Sequence, residues 1–264
     1  MKMIRMCFSP ATCWLFVALC SALFSGCGSM ASLNPLGSAQ SWEEEALLHD
    51  GRKLVVTRWL DRGGRHELGQ RPPIKEQGLK FTMPDTGQKI VWEDHFSPEL
   101  GSANFLPNLV DIDNNTAYLV AKPMGCLSYN KWGRPNPPYV VFKYTGSDWQ
   151  RINLDELPAE IKTPNIISSF SRDEEKLITQ GFVTAEMIRK LYEGYRIIEH
   201  KTILREPLSG ENQCGEMIPD GHQGWIGISW FRNQPSYEAC VMKCKDNQLS
   251  AEYCPCDRLF KGEK

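Results

Sequence analysis

Acidic residues are missing from the amino-terminal part of this 264-residue chain until Glu43, and no apolar run there is long. Cys13 to Phe24 is almost continuously apolar, but it falls short of the about 20 residues needed to cross about 30 Å of hydrocarbon. The sequence also lacks a G-x-S-x-G elbow, an H-E-x-x-H pair, a P-loop and a G-x-G-x-x-G turn, so no motif names a reaction. A basic excess is absent too. Thirty Lys and Arg stand against 32 Asp and Glu, with no basic stripe interleaved with aromatics, which argues against a nucleic-acid partner.

What is present at the amino terminus has three parts. Lys2 and Arg5 supply positive charge, the apolar stretch follows, and Ser25 and Gly26 close it with small residues. A charged start, a short apolar middle and a small-residue end describe a secretory signal peptide over residues 1–26. Phe24-Ser25-Gly26-Cys27 resembles the lipobox of bacterial lipoproteins, with Phe24 where that family usually has Leu. The resemblance implies cleavage before Cys27 and lipidation of that cysteine, hence a membrane anchor without a spanning helix. Gly28 in place of Asp implies outer-membrane delivery, facing the periplasm. An ordinary signal cut after Ala31 is the alternative. Residues 27–41, rich in Ser, Gly and Ala, read as a flexible tether.

Beyond residue 26 there is ample chain for a core without metals or cofactors, and none is expected. Six cysteines follow Cys27: Cys126, Cys214, Cys240, Cys244, Cys254 and Cys256. An even number in an exported chain fits three disulfides. The last four could instead form a four-thiolate zinc site, but their spacings differ from the usual C-x2-C pairs and oxidation competes with metal loading. A helix over residues 236–246 places Cys240 and Cys244 on one face. An extended antiparallel return then pairs Cys244 with Cys254 and Cys240 with Cys256, leaving Cys126 for Cys214.

The fold class expected is mainly β. Residues 42–157 read as successive antiparallel hairpins, turning at Asp50-Gly51, Asp85 to Gly87, Asp113 to Asn115 and Thr145 to Asp148. Leu79, Phe81 and Met83 alternate with Lys80 and Thr82, the period of a half-buried strand. Four hairpins fall short of a closed propeller, so a sandwich or a curved sheet is the economical reading. Residues 158–264 read as a smaller mixed α/β, disulfide-rich region. It should hold a helix from Thr184 to Tyr195 capped by Thr184, a strand over Ile197 to Leu204 and a helix capped by Ser236.

Candidate acid/base groups are His66 with Glu67, Glu93 with His95 on one side of a strand, and Asp220 with His222; each is read more simply as a solvated turn or strand end. His49 reads as the shoulder of its turn. Residues 124–144, "MGCLSYNKWGRPNPPYVVFKY", are stiffened by Pro135, Pro137 and Pro138. Their aromatics Tyr129, Trp132 and Tyr139 are candidates for anchoring a partner, or else cap one end of the core. This stretch and the lipobox together resemble uncharacterised lipoproteins of Gram-negative proteobacteria, a group that brings no catalytic residues with it. The expected function is an envelope binding or interaction module whose partner is another envelope protein, in one version a toxin that it blocks. An envelope hydrolase acting on glycan or lipid and a purely structural lipoprotein are the alternatives.

Overall fold

The computed structural model describes residues 39–64, 66–168, 171–209 and 214–262, so the expected signal peptide, Cys27 and most of the expected tether lie outside the described residues. All four expected hairpins form. They are β1 (Gln40–Leu47) with β2 (Lys53–Arg62), β3 (Ile74–Thr82) with β4 (Lys89–Asp94), β5 (Phe105–Asp113) with β6 (Thr116–Pro123), and β7 (Val140–Tyr144) with β8 (Trp149–Ile152). The turn residues explain them. Gly51 and Gly87 sit at positive φ, which costs glycine nothing, and Asn114 and Asn115 at φ 46° and 58° close the β5–β6 turn, where asparagine is among the few tolerated side chains.

Two antiparallel sheets result, ordered β4-β3-β2-β1 and β5-β6-β7-β8. They share one core. Val56, Leu79 and Ile90 of the first sheet pack in the same cluster as Val110, Leu119 and Val140 of the second. Each such aliphatic side chain contributes about 1.5–3 kcal/mol on full burial. The fold is therefore mainly β, with two sheets face to face.

Beyond residue 157 the chain wraps the sandwich. The segment around Leu157 and Ile161, with Ile203, covers the outer face of the second sheet against Tyr118, Val120 and Val141. Helices α2 (Arg172–Ile178) and α3 (Ala185–Glu193) cover the Trp42, Leu60 and Ile74 end of the first sheet. Thr184 caps α3 as expected, its hydroxyl accepting from the Met187 amide.

Three expectations need correction. The C-terminal region is not set apart at residue 157, because β9 (Phe182–Val183) pairs parallel with β1 and extends the first sheet. Ile197 to Leu204 is not a strand. It contains a 3-10 turn, Ile198–His200, with Ile197 and Ile198 exposed while Ile203 seals the sheet below. The chain after Gln248 is not an extended return either, since α6 (Cys256–Phe260) begins at the second cysteine.

The disulfides join Cys126 to Cys214, Cys240 to Cys256 and Cys244 to Cys254. The last two staple α5 (Tyr237–Asp246), capped by Ser236, to the α6 segment. That small module also holds α4 (Ser229–Arg232) and the hairpin β10 (Met217–Pro219) with β11 (Trp225–Gly227). Its core is Phe231 with the buried cysteines. The first disulfide ties this module to α1 (Gly125–Lys131), reinforced by Asn130, whose side-chain oxygen accepts from the Met217 amide. Among the described residues no helix is long and apolar enough to cross a membrane.

Candidate functional site

The β1–β2 turn brings His49 to the edge strand of the other sheet. Asp111 lies within β5 between two inward-facing aliphatics, Val110 and Ile112, so alternation turns its carboxylate away from the shared core. Three donors meet it: the His49 amide at 2.9 Å, the Ile112 amide at 2.7 Å and the His49 ring Nδ1 at 2.8 Å. One side chain of the first sheet is thereby fixed, backbone and ring together, to a buried carboxylate of the second. Asp113, two residues along the same strand, stands 3.9 Å from the His49 Nε2, beyond hydrogen-bond range.

The electrostatics follow from this placement. The hydrogen bond to Asp111 raises the His49 pKa above its ordinary value, with burial opposing and the charges of Asp111, Asp50 and Asp113 adding to the rise. Burial raises Asp111 in turn, and its donors pull it back only in part. The Asp111 bond orients the imidazole and leaves Nε2 as its free position, the arrangement of a positioned acid/base pair. Among the described residues no hydroxyl or thiol is hydrogen-bonded to that ring.

His49 and Asp111 line a cleft of about 530 Å³, within the roughly 300–1,000 Å³ usual for small-molecule sites. The surface it presents is mainly apolar, with Leu47, Leu48, Ala185 and Ile188 as its aliphatic part. Tyr192 closes the back, held by donating to the Ile166 carbonyl at 2.6 Å and accepting from the Ser168 amide at 2.9 Å. His200 also lines the cleft and packs against Tyr195; burial, then the neighbouring Lys122 charge, lowers its pKa, so it serves as a neutral ring. Charged groups stand at the rim: Glu160, Lys162, Arg189, Glu193 and Lys201.

The residues singled out from sequence lie elsewhere. Glu93 and His95 do come together, at 3.9 Å, but on the open surface, and His95 bonds instead to Glu76 at 2.7 Å, which raises its pKa. His66 reaches only the Gly64 carbonyl and Glu67 the Gln70 amide, both exposed, so the two form no pair. Asp220 accepts from the His222 and Gly224 amides and closes the β10–β11 turn.

Tyr129 and Tyr139 are buried, so their rings pack the scaffold instead of facing outward. Trp132 is half-buried, donating to the Asn104 side chain at 3.2 Å with its ring 4.6 Å from that of Phe105. The aromatic loop is thus a strut between α1 and the sandwich end.

The His49–Asp111 pair spans 62 positions, and only Asp111 carried a signal: an acid inside an apolar strand needs a partner once buried. No metal-ligating group other than cysteine sulfurs clusters among the described residues, and Cys240, Cys244 and Cys256, which do, are already joined in disulfides. Comparison with known proteins returns no matching family model, no matching curated protein and no matching solved structure.

Proposed function

We propose that the chain is an exported, lipid-anchored protein of the bacterial cell envelope, held at the outer membrane through Cys27, and that it works as a binding module through the cleft at His49. The cleft is the observation that carries the binding reading: a concave, aliphatic space with one oriented polar pair and no hydrogen-bonded nucleophile among the described residues. The lipobox-like stretch at Phe24 to Cys27 supports the anchor, and the three disulfides agree with an oxidising compartment. The toxin-blocking version rests on tethering alone.

Replacing Cys27 with Ser tests the anchor. The variant should leave the membrane fraction and lose incorporation of labelled palmitate; retained label in that variant rules the anchor out.

A second reading, an envelope hydrolase acting on glycan or lipid, draws on the same pair. Asp111 fixes the Nδ1 of His49, so Nε2 could move a proton to or from water beside a bound substrate. His49→Gln separates the two readings. A binding module keeps its ligand within a few-fold, whereas a hydrolase loses turnover by roughly 10²-fold or more while still binding.

A further inference from the structure

The rim of the His49 cleft does not carry one sign of charge. Arg189 is consumed locally, its guanidinium donating to Glu186 at 2.6 and 2.9 Å and pairing with Glu193. That leaves Lys162, Lys201 and Glu160, three exposed rim side chains that make no ion pair among the described residues. Lys162 and Glu160 sit two positions apart on the segment that covers the second sheet, while Lys201 ends the 3-10 turn beside it. The Ile203 amide donates to the Lys162 carbonyl at 2.7 Å and holds the two stretches together. Two cations and one anion are thus grouped at the mouth of an aliphatic space.

The His49 end of the lining has the opposite bias. His49 is flanked by Asp111 at 2.8 Å and Asp113 at 3.9 Å, two carboxylates to one imidazole. A bare anion is repelled from that end and a bare cation from the lysines. Half-exposed Leu47, over buried Leu48 and Ile188, offers apolar surface to an occupant between the two. One occupant suits the mouth and the apolar wall together and brings no second anion to the His49 end: a single hydrocarbon chain in the cleft, a phosphate against Lys162 and Lys201, and an ammonium against Glu160.

We infer that the cleft binds a single-chain phospholipid with a zwitterionic, ammonium-bearing head. The inference rests on reading the cleft as a binding site and is independent of the anchor. Titration calorimetry of the purified mature chain with hexanoyl, octanoyl, decanoyl and dodecanoyl lysophosphatidylethanolamine, each below its micelle threshold, tests it. Affinity should tighten by up to about four-fold per added methylene and then stop once the cleft is full. Lys162→Glu with Lys201→Glu should weaken binding by about ten-fold or more, since both side chains are exposed and the fold does not depend on them. Lys89→Glu, on the first sheet away from the cleft, should leave it unchanged.

Three results would overturn the inference: affinity that ignores chain length, equal affinity for a neutral alkyl glycoside of the same chain, or unchanged binding in the double lysine variant. Loss of palmitate labelling in the Cys27→Ser variant, together with lysophospholipid binding intact in vitro, supports both readings. Absence of any palmitate label on the native protein would remove the anchor and leave the cleft ligand standing.

Discussion

Arg58 donates to Glu44 at 2.7 Å with both side chains sealed from solvent, inside the packing between the first sheet and the segment at Ile167. Glu44 also accepts from the Ile167 amide at 3.2 Å and the Trp42 indole at 3.3 Å, while Arg58 reaches the Ile167 carbonyl at 3.2 Å and lies over the Trp42 ring. The pair therefore fixes where the chain after Asn165 crosses the sandwich. Its charges must be removed together or not at all.

Arg58→Met strands the Glu44 charge and should cost about 3–5 kcal/mol. Glu44→Gln with Arg58→Met removes both charges and keeps an acceptor for the Ile167 amide, so it should recover at least half of that loss. Urea unfolding of the two variants decides it; equal destabilisation would mean that lost packing, not the stranded charge, sets the cost.

Asp94 ties the first sheet to the second. Its carboxylate accepts from the Asn104 and Phe105 amides, the Asn104 side chain and Gln77 at distances from 2.8 to 3.0 Å. Asn in its place puts an NH2 group among donors, so Asp94→Asn should cost about 3 kcal/mol, close to the cost of Asp94→Ala. An Asn variant near native stability, by denaturant midpoint, would show that the amides find other acceptors.

Trp132→Ala should lower stability by about 3 kcal/mol, because the ring packs on Phe105 and its indole holds Asn104. Differential scanning calorimetry reads the loss. A thermal midpoint unchanged from the native chain would return Trp132 to the role of a presented anchor.

The His49–Asp111 bond gives stability a pH dependence with a defined sign. The folded His49 pKa lies above the unfolded value of about 6.5, so its contribution is complete below that pH and disappears as pH rises through the folded value. His49→Gln can still donate to Asp111 but cannot titrate. Unfolding free energy followed from pH 6 upward should fall in the native chain and stay flatter in the Gln variant. Parallel profiles would mean that His49 does not titrate differently on folding.

Short-range signals made the sandwich legible. Gly51, Gly87 and the Asn114-Asn115 turn marked three of the hairpins before any contact was known, and Thr184 and Ser236 marked their helices as hydroxyl caps do. Helical spacing placed Cys240 beside Cys244, while their pairing was reached through an extended return that the structure replaces with α6. Pro255 was the overlooked sign, since it has no N–H to give a strand ladder and occupies the N-cap of α6. The cleft was hidden for a different reason. His49, Asp111 and Ile188 come from a turn, an edge strand and a helix, and no local period records that they meet. The parallel pairing of β9 was equally silent, being two residues long and fixed only by where α2 ends.

The Cys126–Cys214 bridge spans 88 positions and so encloses β7, β8, α2, β9 and α3 in one covalent ring. A protease that nicks the chain anywhere inside that ring separates nothing. The carboxy-terminal piece stays bonded to the amino-terminal piece. A cut before Cys126, or one after Cys214 that lies outside the Cys240–Cys256 loop, sheds material, as does a nick inside the ring once that bond is reduced. Under proteolysis, the bridge makes the large middle of the molecule a region where a single cleavage causes damage without release.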